Sequence, residues 1–313
     1  MSKKVIIFGS LNMDFSIACD EMPKQGETIE GGNLLISQGG KGANQALACK
    51  KLGANVAMIG SVGDDSFATL LVDNLSHNGI CTKNIQKAKN TSSGMAFIIR
   101  TDNDNRIIIN KGSNHHIKDI EITNILKSLY QNGEINDNDI FITQLECDTL
   151  ATEQALKTAK ELNLYTIFNP APAKKIGVEY FKYVDLFILN QSENEFYTNI
   201  KANGRKSIDQ SMDLLFDLGV NEVILTLSSK GSAYKSKNKA LKLFKAFKVN
   251  PVDTTAAGDT FIGGVAAALA NNKNIDEAII LGSKAAALST LKEGAQTSIP
   301  SIDEVNNFFK DKQ

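Results

Sequence analysis

The sequence predicts an α/β fold, in which helices cover both faces of a mostly parallel, doubly wound β-sheet and a small second sheet lies beside it. Short apolar runs rich in β-branched residues alternate with stretches of helical periodicity. That alternation is typical of parallel strands that are buried on both faces and joined by helices. Two pairs of short strands interrupt it, and they indicate a separate β-sheet.

The elements of the main sheet follow from these patterns in chain order. Strands are expected at 5–8, 55–59, 140–144, 165–168, 186–189 and 223–227. Helices are expected at 43–52, 66–78 and 207–218, because each is followed by a glycine suited to a left-handed C-cap: Gly53, Gly79 and Gly219. The apolar run 261–269 has the composition of a buried helix.

The small sheet is expected from two hairpins, 14–19 with 27–36 and 93–100 with 106–110. With their flanking residues, these strands span about 12–36 and 93–113. No repeat, linker or low-complexity segment divides the 313 residues, so we expect a single domain over 1–313.

The charge balance argues against nucleic acid and membrane partners. Lys plus Arg number 34 and Asp plus Glu number 35, so no overall field attracts an anionic polymer or surface. The apolar run before Gly9 is too short for a signal peptide or a membrane span, which predicts a cytoplasmic protein. The four cysteines form no CxxC pair and are expected to be reduced thiols.

One motif combines an anion site with an acid. Residues 253–261 read DTTAAGDTF, so small residues lead directly into the apolar helix. At such a helix start the amides of Ala256, Ala257 and Gly258 can point at an anion, and the helix dipole adds partial positive charge. Asp259 would then lie beside that anion as a possible base.

Polar residues also follow the first predicted strand. Asn12 and Asp14 alternate along an extended segment, so both could hold neighbouring sugar hydroxyls, although a simple polar turn would look the same. Lys41 and Asn44 lie in GGKGANQA, a glycine turn that enters a helix. This turn is not a Walker P-loop, and no GxGxxG supports a dinucleotide site.

Three further strand ends carry polar side chains. Glu146 could add a sugar contact. Asn190 and Glu193, three apart at a helix start, could share a hydrated Mg²⁺ and phosphate oxygens, or could simply cap the helix. The turn 228–231, Ser-Ser-Lys-Gly, could lie along a nucleotide.

Taken in order, these motifs closely resemble the ribokinase/PfkB carbohydrate kinase family. The resemblance runs from Ile7 to Pro300 through GSLNMD, GGKGANQA, NPAPA, NQSE, DTTAAGDTF and GAQTSIP. It implies a Rossmann-like α/β domain with a small β-sheet lid, and a homodimer in which two lids pack together. It also implies that ATP donates its γ-phosphoryl group to the 5-hydroxyl of D-ribose, giving D-ribose 5-phosphate and ADP.

The resemblance assigns a role to each motif. Asp259 would be the base, and the amides of Ala256, Ala257 and Gly258 would form the anion hole. The implied sugar contacts are Asn12, Asp14, Gly40, Lys41, Gly42, Asn44, Glu146 and Asp259. The implied nucleotide contacts, with Mg²⁺, are Asn190, Glu193, Thr226, Ser228, Ser229, Gly231, Gly258 and Ser283. A K⁺ site would comprise Asp253, Thr255, Ser289, Lys292, Gly294 and Ser298, although Asp253 could also be an ordinary turn cap.

Two departures from the family pattern concern the nucleotide. Ser228 stands where relatives commonly carry glycine, and Ser283 stands where many carry Asn or His. The preference among ATP, GTP and other donors therefore stays open. So does the acceptor, since a related kinase could act on 2-deoxyribose, a nucleoside or a fructose derivative. A catalytically idle sugar-binding protein would usually lack the acid and the anion hole, whereas Asp259 and Gly258 are both present.

Overall fold

The structure, a computed structural model, describes residues 2–101, 105–237 and 239–310. Its strands are β1 Lys4–Phe8, β2 Asn12–Ala18, β3 Gly32–Gly39, β4 Asn55–Val62, β5 Cys81–Lys87, β6 Gly94–Arg100, β7 Asn105–Asn110, β8 Ile140–Thr143, β9 Tyr165–Phe168, β10 Leu186–Asn190, β11 Glu222–Thr226, β12 Ser232–Ser236 and β13 Lys242–Phe244. Its helices are α1 Lys41–Lys51, α2 Ser66–His77, α3 Asp119–Gln131, α4 Thr149–Glu161, α5 Gln191–Thr198, α6 Arg205–Leu218, α7 Ala257–Ala270, α8 Ile275–Ser289 and α9 Ile302–Phe309.

The main sheet confirms the predicted fold class. Nine of the described strands form it in the order β13-β12-β11-β10-β9-β8-β1-β4-β5. Every neighbouring pair from β11 to β5 is parallel, and only β12 and β13 pair antiparallel. The strand order reverses between β1 and β8. In an open α/β sheet, ligands bind beyond the carboxyl ends of the strands at such a switch point.

Helices cover both faces of this sheet, which explains the continuous apolar strands. Along β1, Val5 and Ile7 join the core under α1, α2, α7, α8 and α9, whereas Ile6 and Phe8 join the core under α3, α4 and α6. Successive side chains of a strand point to opposite faces. A central strand must therefore be apolar at every position.

The three strands that the sequence analysis missed lie at the two ends of the main sheet. β5 reads CTKNIQK and β12 reads SAYKS, so neither has the continuous apolar run of a central strand. β5 is the last strand on its side of the sheet, so it has one neighbour, and its side chains are partly or fully exposed. β12 lies between β11 and β13 and is buried at every position, but its side chains are mostly small or polar. A search for apolar, β-branched runs therefore finds the central strands but not these three strands.

The small sheet is present as predicted, with different bounds. Its order is β3-β2-β6-β7, with antiparallel pairs β2–β3 and β6–β7 and a parallel pair β2–β6. β3 begins at Gly32 instead of residue 27 and runs on to Gly39. Residues 102–104, in the expected turn of the second hairpin, lie outside the described residues. The small sheet packs on α2 through Phe15 and Phe67, whose ring centroids are 5.6 Å apart.

No helix within the described ranges is long and apolar enough to cross a membrane. The four cysteines are free, and Cys81 is exposed.

Candidate active site

A cavity of about 130 Å³ opens at the carboxyl edge of the main sheet. It is lined by residues from the ends of β9, β10 and β11 and from the first turns of α1, α5 and α7: Lys41, Asn169, Ala171, Ile188, Leu189, Asn190, Glu193, Thr226, Ala256, Gly258, Asp259 and Ile262. The helix starts supply amide donors, and the strand ends supply polar side chains. The cavity therefore combines two carboxyl groups, a cation and helix N-termini.

Asp259 is a buried acid of this cavity and is held by two side-chain amides. Asn44 donates from Nδ2 to Asp259 Oδ2 at 3.0 Å, and Gln45 donates from Nε2 to Asp259 Oδ1 at 2.9 Å. Burial raises the pKa of Asp259, while Lys41 and the two amide donors oppose the rise without cancelling it. A carboxylate with a raised pKa is a stronger base than an exposed one, which suits Asp259 to accept a proton from a hydroxyl group.

The start of α7 beside Asp259 is open to the cavity. Ala256 precedes the helix in the left-handed conformation, with φ of 58°. A Cβ added to Gly258 would meet no atom within 4 Å. Ala256 N and Gly258 N donate no hydrogen bond to another described residue, but Ala257 N donates to the carbonyl of Thr254 at 3.2 Å. Two of the three predicted anion-hole amides are thus available, and the third is occupied in this conformation.

Lys41, the first residue of α1, is the cation of the site. Burial lowers the pKa of Lys41, but the charges of Asp259, Glu146, Glu193 and Asp14 raise it by more. The net shift is upward, so Lys41 stays protonated among four carboxyl groups. Its backbone amide also donates to Glu146 Oε2 at 3.0 Å.

The predicted sugar residues on β2 lie next to this cluster. Asn12 and Asp14 are both buried, and they share one face of β2 because they alternate along it. Burial, followed by the charges of Glu146 and Asp259, raises the pKa of Asp14 to about 7, against an opposing effect of Lys41. Within the described residues, Asp14 Oδ1 and Asn44 Oδ1 are buried without a hydrogen-bond partner. Two unsatisfied acceptors therefore remain in a polar site.

Glycines let the start of α1 approach the segment between β1 and β2. Gly40 has φ of +89°, and a Cβ there would lie 2.8 Å from Asn12 N and from Ser10 O. A Cβ on Gly42 would lie 2.5 Å from the carbonyl carbon of Gly9. Any larger residue at these two positions would separate Lys41 and Asn44 from β2.

Asn114 orients Asn12 and was missed by the sequence analysis. Its Oδ1 accepts from Leu11 N at 2.9 Å, and its Nδ2 donates to Asn12 Oδ1 at 2.7 Å. Because a backbone N–H can only donate, the direction of both bonds is determined, and Asn12 keeps its own Nδ2 for another partner. Ser10 also belongs here, since its Oγ donates to Glu146 Oε2 at 2.5 Å. Asn114 follows the small sheet in a polar stretch, and nothing in the sequence distinguishes it.

The predicted nucleotide residues are divided by the structure. Asn190, Glu193, Thr226 and Gly258 line the cavity, whereas Ser228, Ser229, Gly231 and Ser283 are not among the described residues that line it. Asn190 and Glu193 do form a helix cap: Glu193 N donates to Asn190 Oδ1 at 2.9 Å, and Asn190 N donates to Glu193 Oε2 at 2.8 Å. Ser228 has φ of +53°, a conformation that favours glycine.

The predicted K⁺ residues are only partly joined by contacts. Asp253 Oδ1 accepts from Thr255 N at 2.8 Å and from Thr255 Oγ1 at 2.6 Å, and its Oδ2 accepts from Gly294 N at 2.9 Å. Burial raises the pKa of Asp253, but these hydrogen bonds lower it by more, so the carboxylate is ionised. Lys292 N donates to Ser289 O at 3.3 Å, and Ser298 Oγ donates to Ala295 O at 2.8 Å. No group of three or more His, Cys, Asp or Glu in the described chain could hold a metal.

Known proteins share this architecture over the whole chain. The family model described as pfkB family carbohydrate kinase matches residues 2–302. A ribokinase of Haemophilus influenzae is 36% identical over 311 residues, with 99% of each chain covered. A deoxyribokinase of Salmonella typhimurium is 33% identical over 307 residues, which cover 97% of this chain and 98% of that protein.

A solved structure of Arabidopsis thaliana ribokinase complexed with ribose and ATP matches with a TM-score of 0.90. It is 28% identical, and the match covers 99% of each chain. The family model, the curated relatives and the solved structure all match over nearly the whole chain. The chain therefore belongs to the pfkB family of carbohydrate kinases, which are phosphotransferases that act on an alcohol group.

Proposed function

We propose that this protein is an ATP-dependent ribokinase, which transfers the γ-phosphoryl group of ATP to the 5-hydroxyl of D-ribose and releases D-ribose 5-phosphate and ADP. One observation carries the proposal. The buried carboxylate of Asp259 lies at the open start of α7, and the unpaired acceptors Asp14 Oδ1 and Asn44 Oδ1 lie in the same residue cluster. The carboxylate of Asp259 suits phosphoryl transfer, and the unpaired oxygens of Asp14 and Asn44 suit a substrate with several hydroxyl groups. The full-length similarity to ribokinases supports the same assignment.

Phosphoryl transfer depends mainly on positioning and charge stabilisation, and the residues of the cavity can supply both. Asp259 accepts the proton of the attacking hydroxyl, which its raised pKa favours. The amides of Ala256 and Gly258 stabilise charge that develops on the γ-phosphate, and Ala257 joins them if its bond to Thr254 opens. A donor of this kind contributes about 3–4 kcal/mol. Lys41 adds a fixed positive charge.

The proposed sugar site offers both hydrogen-bond donors and hydrogen-bond acceptors. Asn12 offers Nδ2 because Asn114 occupies its Oδ1, so it donates to a sugar oxygen. Asp14 and Asn44 offer unpaired oxygens, so they accept from hydroxyls. Gly40 and Gly42 keep these groups close together, and Glu146 completes the proposed set. A polar site matched to one hydroxyl pattern discriminates against sugars that leave its groups unpaired.

We assign ATP and its Mg²⁺ to the cavity edge near α5. Asn190 and Glu193 face the cavity, and carboxylate and amide oxygens suit Mg²⁺, which keeps several waters. When bound, Mg²⁺ would neutralise phosphate charge. Thr226, Ser228, Ser229, Gly231 and Ser283 are the proposed nucleotide contacts. Ser228 adopts a φ of +53°, which favours glycine, and adds a hydroxyl group to this turn.

A monovalent cation, K⁺, is proposed beside the anion hole. The ionised Asp253 would supply charge, and Thr255, Ser289, Lys292, Gly294 and Ser298 would supply mainly backbone oxygen, as a hard cation prefers. The carboxylate of Asp253 already connects the loop before α7 to Gly294. Replacement of K⁺ by Na⁺ should lower kcat, and equal rates in the two salts would contradict the site.

A homodimer through the small sheet is proposed from the apolar side chains that the sheet exposes on both faces, since Ile107 and Ile109 alternate with Ile108 along β7. Leu34, Ile36, Phe97, Ile107, Ile108 and Ile109 are each at least 44% exposed. Apolar patches of this kind mark interaction sites more often than free surface. Ile108→Lys should convert a dimer into a monomer in sedimentation velocity, and a wild-type monomer at micromolar concentration would contradict the proposal. The exposed free thiol of Cys81 fits a reducing, cytoplasmic location.

The second candidate is phosphorylation of 2-deoxyribose, which the deoxyribokinase relative favours. An assay that couples ADP release to a detectable signal, run with D-ribose, 2-deoxyribose, fructose and adenosine, separates the candidates. We expect the highest kcat/KM for D-ribose. A higher value for another acceptor would replace the substrate assignment, and no ADP release with any of them would overturn the proposed reaction.

A further inference from the structure

We propose that Gln45 is a positioning residue that orients the carboxylate of Asp259 through a hydrogen bond, without touching either substrate. The inference rests on the proposed role of Asp259 as the base. Gln45 is fully buried on α1 and is not among the described residues that line the cavity. Its Nε2 nevertheless donates to Asp259 Oδ1 at 2.9 Å. Gln45 therefore contacts the proposed base without lining the cavity.

The direction of this hydrogen bond is determined by a chain of partners that starts at the backbone. Asn169 Nδ2 donates to the carbonyl of Ile188 at 3.0 Å, and a carbonyl can only accept. Asn169 therefore turns its Oδ1 to Gln45, whose Nε2 lies 3.3 Å away. A flipped Gln45 amide would bring its oxygen against both Asn169 Oδ1 and Asp259 Oδ1. Gln45 must therefore present its N–H groups to Asp259.

The other end of the Gln45 amide is held as well. Gln144 donates from Nε2 to Gln45 Oε1 at 2.6 Å. Gly9 leaves room for Gln144, because a Cβ on Gly9 would lie 2.3 Å from Gln144 Oε1. Gln45 thus has partners at both its oxygen and its nitrogen. A buried amide held in this way has one orientation.

Gln45 is one of two donors that offset the burial of Asp259. The other donor is Asn44, at 3.0 Å from Oδ2. A hydrogen bond to the charged form of a carboxyl favours that form. Loss of Gln45 would leave Asp259 just as buried but with one donor fewer, so the carboxylate would take up its proton at higher pH.

Other charged groups also face Asp259, and they are the same in wild type and in the variants, so the titration of Asp14 near pH 7 is common to all the profiles. They are Lys41 on α1, Glu146 after β8, Asp14 on β2 and Glu193 on α5. None of them accepts from or donates to Gln45 in the described chain. A substitution of Gln45 therefore changes a hydrogen bond to the base and no charge of the site.

The test compares the pH dependence of kcat in wild type, Gln45→Met and Gln144→Met, with the best acceptor of the wild type at saturation. Methionine has a similar length and cannot donate. We expect the acidic limb of the kcat profile to lie about one pH unit higher in Gln45→Met than in wild type. We also expect kcat to fall by up to about tenfold on the acidic limb and to be regained at higher pH, with acceptor affinity within about threefold.

Gln144→Met is the matched control, because it removes a buried amide donor from the same network but leaves both donors on Asp259. The acidic limb of its kcat profile should move by less than half as much as that of Gln45→Met, at a comparable loss of thermal stability. Equal shifts in the two variants, or no shift in Gln45→Met, would overturn the proposal.

Gln45→Glu preserves the side-chain volume and covers the case in which Gln45→Met does not fold. Two adjacent carboxyl groups cannot easily both ionise, so its acidic limb should rise by more than about one unit. An unchanged limb in this variant would also overturn the proposal. A wild type inactive on D-ribose but active on another acceptor would reject only the proposed substrate, since the same profiles can then be measured with that acceptor.

Discussion

Gly258→Ala separates the catalytic role of the α7 start from its structural role. An added Cβ meets no protein atom within 4 Å, and no positive φ holds the backbone of Gly258 in a glycine-only conformation. Alanine is favoured over glycine in a helix by up to about 1 kcal/mol. The variant should therefore be as stable as wild type, or melt up to about 4 °C higher. The new methyl group, however, occupies the cavity that Gly258 lines.

In the proposed mechanism the γ-phosphoryl group passes through that space, next to the amides of Ala256 and Gly258. A displacement of a reacting group by about 1 Å can cost about 10²-fold in rate. We therefore expect kcat to fall by about 10²-fold in the coupled ADP assay, while calorimetry gives an unchanged affinity for D-ribose.

Gly204→Ala is the matched control. Gly204 precedes α6, also has open space around an added Cβ, and is not among the cavity-lining residues. It should keep wild-type kcat. A Gly258→Ala enzyme with the kcat of wild type would refute the inference that the phosphoryl group passes this helix start.

Three further predictions concern the base, the sugar site and a turn. Asp259→Asn should lower kcat by about 10²–10⁴-fold with little change in D-ribose affinity, as expected for loss of a general base, and an active variant would remove Asp259 from the mechanism. Asp14 keeps its proton up to about pH 7 in the native state, whereas its usual pKa is 3.8, so its contribution to stability is complete below pH 3.8 and is lost as the pH rises through 7. If the carboxylate is the form that accepts from the sugar, D-ribose affinity should rise by about tenfold between pH 6 and 8, and Asp14→Asn should abolish this dependence in calorimetry. Gly231→Ala should lower the free energy of unfolding by about 2–4 kcal/mol in urea titrations, because Gly231 has φ of +102° and its Cβ would lie 1.9 Å from Phe244 O; a neutral substitution would contradict the close approach of this turn to β13.

The central strands could be predicted because their physical requirement is local. β1 has to be apolar at every position when both its faces are covered, and Val5 to Phe8 meet this requirement. Asn12 and Asp14 could be grouped because alternation along a strand places them on one face. β5, at the edge of the sheet, has no such requirement. β12 is buried but carries polar side chains, among them Lys235, which pairs with Asp209 and Asp213, so its composition does not indicate a buried strand.

The partners of the site residues could not be predicted in the same way. Gln45 and Asp259 are 214 positions apart, and Asn114 and Asn12 are 102 apart. Which amide meets which carboxylate depends on how α1, α7 and the small sheet pack. The occupied amide of Ala257 is a similar case, because a local backbone bond to Thr254 competes with the expected anion.

By itself, the sequence determined the fold class, the glycine turns and the side chains that carry the chemistry, because strand periodicity and φ preferences are properties of short segments. Only the tertiary structure decided that Gln45, Asn44 and Lys41 surround one buried acid, and that Asp14 is pushed to a pKa of about 7. Hydrogen-bond direction and pKa depend on burial and on the distance to other charges. Those distances exist only after segments that are remote in the chain have packed together.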